Sequence, residues 1–143
     1  MALTMESLHA SPGTMQRHGL VVIHAFPFKL GRESRVAMIK DSLHRIERPG
    51  SGVVKGLNDV YLMDPGELLQ ISREHCRIEQ NGDGSYQIVD RGSKCGCTVN
   101  ERRIGQHAGV MSATLADGDV LTLGTRESPY RFMFIAGFDN CRW

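Results

Sequence analysis

Short runs of alternating apolar and polar residues recur along the chain. A β-branched run covers 20–24, and alternating runs cover 76–80 and 86–90 on either side of Asn81-Gly82-Asp83-Gly84. Two such runs around this turn predict a hairpin, because glycine and asparagine tolerate positive φ. Other short strands are predicted at 26–30, 60–62, 98–99, 103–104, 113–115, 120–123 and 130–135. With no convincing helical period, the pattern predicts an all-β fold, an antiparallel β-sandwich of about ten to eleven short strands.

Two segments depart from this rhythm. Residues 1–19 are rich in Ser, Thr, Met and His without a steady period, which predicts a flexible N-terminal tail. Residues 35–56 form a long predicted loop with a local basic excess, which either extends a binding surface or is simply solvated and mobile. The remaining chain is predicted to be one domain, 20–138, followed by a short C-terminal end, 139–143.

Composition narrows the class of protein. The 143 residues are enough for one domain with a real core, and 41% hydrophobic and 23% charged residues are ordinary for a globular protein. A net charge of +1 gives no overall attraction to nucleic acid or to an anionic membrane. The longest apolar run, 20–23, is too short to cross a bilayer, and no secretory signal is visible. We therefore expect a cytoplasmic protein that binds neither nucleic acid nor membrane.

The four cysteines predict reduced thiols, since the domain has no export signal and is large enough to form a core without disulfides. Cys95-Gly96-Cys97 is a weak metal motif without a second ligand pair. No nucleophile–base pair or nucleotide-cradling glycine loop is recognisable. We expect no metal, no cofactor and no enzymatic activity.

Three short motifs follow one another next to predicted strands. They are Gly31-Arg32-Glu33, Ser72-Arg73-Glu74-His75 and Asp90-Arg91-Gly92-Ser93-Lys94-Cys95-Gly96-Cys97-Thr98-Val99-Asn100. Each is expected to lie in a loop, and loops on a rigid β scaffold often carry binding sites. Arginine, hydroxyl and backbone N–H groups together are the chemistry that holds a phosphate.

In this order the motifs resemble the forkhead-associated (FHA) domain, a phosphothreonine-binding sandwich of the FHA/SMAD-like class, over roughly 20–138. The matching residues are Gly31-Arg32, Ser72 with His75, and Asp90, Gly92, Ser93, Gly96, Val99 and Asn100. Cys95 stands where the family has an asparagine, and Cys97 where it often has a threonine.

The resemblance implies two groups of site residues. The expected phosphopeptide contacts are Arg32, Ser72, Arg73, Lys94 and Cys95, and the expected supports of the binding loops are Gly31, His75, Asp90, Gly92, Ser93, Gly96 and Asn100. Each residue also has a purely structural interpretation: a surface ion pair for Arg32, a turn hydroxyl for Ser72, a solvated side chain for Arg73. His75 is expected to be structural in the family as well.

The implied function is phosphorylation-dependent protein–protein interaction in Ser/Thr kinase signalling. The partner would be a phosphothreonine-containing protein that such a kinase modifies, and the domain is compatible with fusion to others. Cys95 motivates an alternative, a scaffold domain that binds partners independently of phosphate, because a thiol is a weak donor and acceptor. Phosphorylation of Thr4 or Thr14, followed by binding to the chain's own pocket, is a further hypothesis.

Overall fold

The structure is a computed structural model that describes residues 1–34, 36–45, 57–66 and 68–137, with only the backbone of 36–39 and 42–45. The described strands are β1 (Gln16–Arg17), β2 (Leu20–Val21), β3 (Phe28–Arg32), β4 (Val36–Ile39), β5 (Ser42–Arg45), β6 (Val60–Leu62), β7 (Cys76–Gln80), β8 (Tyr86–Asp90), β9 (Cys97–Val99), β10 (Arg102–Ile104), β11 (Ser112–Leu115), β12 (Val120–Leu123) and β13 (Arg131–Met133). A helix, α1 (Met5–Ala10), precedes them, and a 3-10 helix (Gln106–Ala108) follows β10. No helix in the described part of the chain is long and apolar enough to cross a membrane.

The strands form two principal sheets, which confirms the predicted all-β sandwich. One sheet has the order β11-β8-β7-β3-β6, and the other has the order β10-β9-β12-β13. β7 and β8 pair antiparallel on either side of residues 81–85, as the turn sequence predicts. Within these two sheets β3 and β6 form a parallel pair, against the antiparallel expectation. A parallel pair needs a long connection, and the chain between Arg32 and Val60 supplies one.

The core lies between the two sheets, where the alternating strands point their apolar side chains. Ile78 and Ile88 come from one sheet, and Val99 and Leu123 from the other; all are at most 3% exposed. Burying a side chain of this size contributes about 1.5–3 kcal/mol. The alternation read in the sequence is therefore the pattern that stabilises the sandwich.

Residues 1–19, for which the sequence predicts a flexible tail, include a helix and lie against the sandwich in the structure. Thr4 is the N-cap of α1, accepting a hydrogen bond from the Ser7 amide at 3.0 Å. Its hydroxyl donates to the Pro129 carbonyl at 2.5 Å, and the Ser7 hydroxyl donates to the Arg131 carbonyl at 2.7 Å. The helix is only six residues long and docks through small polar groups, so hydrophobic periodicity could not reveal it.

The predicted loop 35–56 contains a hairpin, which corrects the expectation for its first half. β4 and β5 pair antiparallel around Lys40 and Asp41, whose φ angles are +50° and +62°. Positive φ at both central residues is the two-residue hairpin geometry that usually selects Asn or Gly. With lysine and aspartate there instead, the turn has a weak sequence signal. Residues 46–56 lie outside the described residues.

Candidate functional site

The register of the five-stranded sheet brings the three motifs to one end of the sandwich. Leu30 of β3 lies opposite Cys76 of β7, and Cys76 lies opposite Asp90 of β8. The end of β3 at Arg32, the start of β7 after the segment 72–75, and the end of β8 before residue 91 therefore lie at the same end of the sheet. Three segments that are distant in sequence thus become adjacent loops.

Ser72 is hydrogen-bonded to all three loops. Its carbonyl accepts from the Arg32 amide at 2.9 Å, and its amide donates to His75 Nδ1 at 2.9 Å. Its hydroxyl oxygen accepts from the Lys94 amide at 2.9 Å. Because Oγ is an acceptor in that bond, the hydroxyl hydrogen is left for a further acceptor. Arg32, Ser72 and Lys94 therefore belong to one connected patch.

Arg32 is half-buried at the end of β3, and its side chain is fixed to the loop before Ser72. Its Nε donates to the Ile71 carbonyl at 3.0 Å. A guanidinium held through Nε keeps its planar fork in a defined orientation, as bidentate recognition of an oxyanion requires. Arg73, which follows Ser72 in the chain, and Lys94, whose amide donates to the Ser72 hydroxyl, both have exposed side chains. The patch therefore combines one oriented cation with two exposed ones.

Gly31 allows the β3 end and the Ser72 loop to approach closely. A Cβ at this position would overlap the Arg73 carbonyl oxygen and the side-chain amide of Asn58. That amide donates from Nδ2 to the Arg73 carbonyl at 2.7 Å. Any larger side chain would push the Ser72 loop away from Arg32.

His75 joins the second loop to the third. It is fully buried, its Nδ1 accepts from the Ser72 amide, and its Nε2 lies 2.8 Å from the Gly96 carbonyl. An acceptor at Nδ1 and a donor at Nε2 define a neutral ring with its proton on Nε2. Burial lowers the pKa of His75, against smaller opposing effects of the Gly96 bond and of Asp90 and Asp64. The ring is thus a structural connector.

Asp90 shapes the third loop from its buried position. Its Oδ2 accepts from the Gly92 and Ser93 amides at 3.0 and 2.9 Å, and its Oδ1 accepts from the Ser93 hydroxyl at 2.5 Å. The Ser93 hydroxyl oxygen accepts in turn from the Gly96 amide at 2.9 Å. Gly96 has φ of +71°, and a Cβ there would lie 2.6 Å from the Ile104 carbonyl. This loop is consequently tight and preformed.

Cys95 lies half-buried in this loop with its thiol turned towards the segment before Ser72. Its Sγ donates to the Leu69 carbonyl at 3.6 Å, a distance suited to a weak sulfur hydrogen bond. Its own carbonyl accepts from Arg103 Nη2 at 2.7 Å. The third loop is therefore attached at Cys95 to two neighbouring segments.

A comparison of the sequence with known families gives a match that includes the second and third motifs. The FHA domain model matches residues 50–124, which is more than half of the chain. The chain belongs to the FHA domain family. The search of curated proteins gives no significant match to this sequence.

Solved structures similar to this FHA domain include three with low sequence identity. EmbR of Mycobacterium tuberculosis, solved with a low-affinity phosphopeptide, is 22% identical with a TM-score of 0.46; the match covers 79% of this chain and only 20% of EmbR. The FHA domain of CT664 from Chlamydia trachomatis is 24% identical with a TM-score of 0.45; the match covers 74% of this chain and 76% of the CT664 domain. The N-terminal FHA domain of S. cerevisiae Rad53p, solved with a phosphothreonine peptide, is 17% identical with a TM-score of 0.39. The match covers 67% of this chain and 83% of the Rad53p domain.

The structure does not bring Asn100 into the site of this FHA domain. Asn100 follows β9 at the end away from Cys97 and has φ of +53°. Its amide donates from Nδ2 to Asp119 at 3.0 Å, and its Oδ1 accepts from the Val120 amide at 3.0 Å. The expectation that Asn100 supports the binding loops is corrected: within the described residues it ties the β9–β10 turn to the start of β12.

Asp64 is a support of the site that the sequence did not reveal. Its buried carboxylate accepts from the Gln70 and Ile71 amides through Oδ2 at 2.7 and 3.0 Å, and from the Tyr130 hydroxyl through Oδ1 at 2.7 Å. Burial, followed by this bond, raises the pKa of Tyr130 well above its ordinary value. Asp64 thus positions Ile71, whose carbonyl holds Arg32. No motif surrounds Asp64, so spacing could not single it out.

A second support that sequence reasoning missed is centred on Arg91. Its Nη1 donates to Asn58 Oδ1 at 2.6 Å, and its Nη2 donates to the Leu57 carbonyl at 2.7 Å and to Glu74 at 3.0 Å. Asn58 in turn holds the Arg73 carbonyl. Arg91 lies within the third motif, but only the fold shows that it braces the second loop.

The described residues also bring His75, Asp90 and Cys97 together, with potential ligand atoms within 4.8 Å of one another. Both ring nitrogens of His75 are already hydrogen-bonded, and Cys97 Sγ donates to Asp90 Oδ1 at 3.8 Å. A hydrogen bond with Cys76, then burial, raises the pKa of the Cys97 thiol well above its ordinary value. Metal ligation requires a thiolate and a free ring nitrogen. The chemistry of this group favours hydrogen-bonded support of the loops over metal binding.

Proposed function

We propose that this FHA domain binds phosphothreonine peptides and so mediates phosphorylation-dependent protein–protein interaction in Ser/Thr kinase signalling. Its partner would be a protein that a Ser/Thr kinase phosphorylates on threonine. The observation that carries the proposal is the set of bonds from Ser72 to Arg32, His75 and Lys94. They gather an oriented guanidinium, a hydroxyl with an available hydrogen and the backbone of Lys94, whose side chain is exposed, at one end of the sandwich.

The proposed recognition is electrostatic and geometric. A phosphothreonine carries about −1.5 to −2 charge at pH 7 and three acceptor oxygens. Arg32 would pair with two of these oxygens, the Ser72 hydroxyl would donate to the third, and Lys94 would add a point charge. None of these contacts forms or breaks a covalent bond, so we propose a binding module without catalytic activity.

The test is binding of a degenerate phosphothreonine peptide library, with phosphoserine and unphosphorylated libraries beside it. Arg32→Ala should weaken phosphothreonine binding at least about hundredfold, because it removes a charge-assisted pair of hydrogen bonds. Arg102→Ala is the matched control, since Arg102 is an exposed arginine on β10 that contacts Thr114. Circular dichroism should show both variants folded. Binding that ignores the phosphate, or equal loss in both variants, would contradict the proposal.

A second function is favoured by one observation, the cysteine at position 95. Its thiol is bonded to the Leu69 carbonyl and offers the peptide a weaker partner than an amide would. The alternative is a scaffold domain that binds its partner regardless of phosphate. Cys95→Asn separates the two: a reader of phosphothreonine should gain about tenfold in affinity from a restored hydrogen bond. Partner binding that resists both phosphatase treatment and Arg32→Ala would establish the scaffold.

A further inference from the structure

Two consecutive arginines on β10 have different surroundings. Successive residues of a strand point to opposite faces of the sheet. Arg102 is exposed and contacts Thr114, whereas Arg103 is half-buried and lies opposite Thr98 of β9. The two arginines therefore share a charge and a place in the chain, but only Arg103 is packed into the domain.

The guanidinium of Arg103 holds three acceptors at once. Its Nη2 donates to the Cys95 carbonyl at 2.7 Å, and its Nη1 donates to the Gly124 carbonyl at 2.8 Å and to the Thr98 hydroxyl at 3.2 Å. A planar fork of donors fixes the positions of its acceptors relative to one another. Arg103 thus ties the third loop to the segment that follows β12.

The segment after β12 is bonded in turn to both binding loops. The Gly124 amide donates to the Gly96 carbonyl at 2.8 Å. Thr125 donates to Gln70 Oε1 through its amide at 2.9 Å and through its hydroxyl at 3.1 Å. A Cβ at Gly124 would lie 2.4 Å from Gln70 Oε1, so the two segments are in close contact. Because Gln70 leads into the second loop, Arg103 is connected to the second loop as well as to the third.

The carbonyl that Arg103 holds lies next to the bond that joins the second and third loops. Cys95 follows Lys94, whose amide donates to the Ser72 hydroxyl at 2.9 Å. Bonds at two consecutive residues, the Lys94 amide and the Cys95 carbonyl, therefore hold the third loop from the second loop and from β10. A loop that is ordered before its ligand arrives loses less entropy on binding.

We propose that Arg103 is a positioning residue of the phosphate site, which holds the third loop where the Lys94 amide meets the Ser72 hydroxyl. Arg103 acts through the Cys95 carbonyl rather than by touching the peptide. The placement of the loop is a property of the domain without ligand, whereas its consequence for affinity rests on the proposed function.

The test compares wild type with Arg103→Ala, Arg103→Lys and the matched control Arg102→Ala. Amide hydrogen exchange followed by NMR, without ligand, reports on the Lys94 amide. The Arg91 amide, which donates to the His75 carbonyl at 2.9 Å, is the internal reference. A general loss of stability would accelerate both amides, so the ratio of their exchange rates isolates the third loop. Fluorescence polarisation with labelled phosphothreonine and unphosphorylated peptide libraries measures affinity in the same variants.

In Arg103→Ala the Lys94 amide should exchange about tenfold faster relative to the Arg91 amide, and phosphothreonine affinity should fall about tenfold. Arg102→Ala should match wild type in both measurements. Arg103→Lys should lie between wild type and Arg103→Ala, because an ammonium keeps donors without the planar fork. The lysine variant also provides the comparison if the alanine variant does not fold.

Unchanged relative exchange of the Lys94 amide in both Arg103 variants overturns the inference. So does unchanged phosphothreonine affinity in these variants when the wild type binds through Arg32, a result that leaves the proposed function standing. If the wild type binds no phosphopeptide, the proposed function fails, and the exchange of the Lys94 amide alone decides whether Arg103 places the third loop.

Discussion

His75→Ala should destabilise the domain and disconnect its binding loops. The substitution removes the ring that links the Ser72 amide to the Gly96 carbonyl. Ser72 then has an amide without its acceptor, at a cost of about 1–3 kcal/mol, whereas the Gly96 carbonyl still accepts from Gly124 at 2.8 Å. The cavity left by a fully buried ring adds about 2 kcal/mol. The expected loss in the free energy of unfolding is therefore about 3–5 kcal/mol.

Urea denaturation followed by circular dichroism measures this loss as a shift in midpoint at constant slope. His75→Asn is the informative companion, because its amide oxygen reaches the position of Nδ1 and keeps an acceptor for the Ser72 amide. It should recover a substantial part of the stability and of the phosphopeptide affinity. A loss below about 1 kcal/mol for His75→Ala would show that His75 does not hold the loops together. Equal behaviour of the two variants would refute the role of the Ser72 bond.

Three further predictions concern stability. Because burial lowers the pKa of His75, the unfolded chain binds a proton at a higher pH than the folded protein does. The contribution of His75 to the free energy of unfolding is therefore fully present above about pH 6.5 and falls below it by up to about 1.4 kcal/mol per pH unit. Urea midpoints between pH 7.5 and 5.5 should show this slope, and it should be smaller in His75→Asn. Gly31→Ala should cost about 1–3 kcal/mol by overlap with the neighbouring loop, whereas Gly82→Ala, with nothing within 4 Å of a Cβ, should be nearly neutral in the same assay. Tyr130→Phe should lower the free energy of unfolding by about 1.5–3 kcal/mol through loss of its bond to Asp64, and an unchanged thermal midpoint would exclude that bond.

The sequence predicted those parts of the fold whose signals are local. The β7–β8 hairpin follows from alternation around a turn of glycine and asparagine, and the third motif carries its own turn residues. The β4–β5 hairpin was missed because Lys40 and Asp41 adopt positive φ without the usual residues. Helix α1 was missed because its six residues are too few to show a helical period of apolar residues.

The supports of the site could not be predicted because they depend on contacts between distant residues. Asp64 meets Tyr130 across 66 positions of sequence, and Arg91 meets Asn58 across 33. Isolated polar residues of this kind have no motif, and their role exists only once the sheets have formed. Asn100 shows the converse: it belongs to a motif by sequence but lies at the other end of β9.

The three bonds of Ser72 have a consequence for genetics. Its amide and carbonyl bonds come from the backbone and survive substitution, but Ser72→Ala removes the acceptor of the Lys94 amide together with the hydroxyl that we propose donates to a phosphate. A defect in such an allele would combine lost recognition with a displaced third loop. Arg32→Ala is different, since it removes the Nε bond to the Ile71 carbonyl but keeps the backbone bond from Arg32 to Ser72. Under the proposed function, alleles at Arg32 therefore affect recognition with less change to the loops than alleles at Ser72, which are pleiotropic.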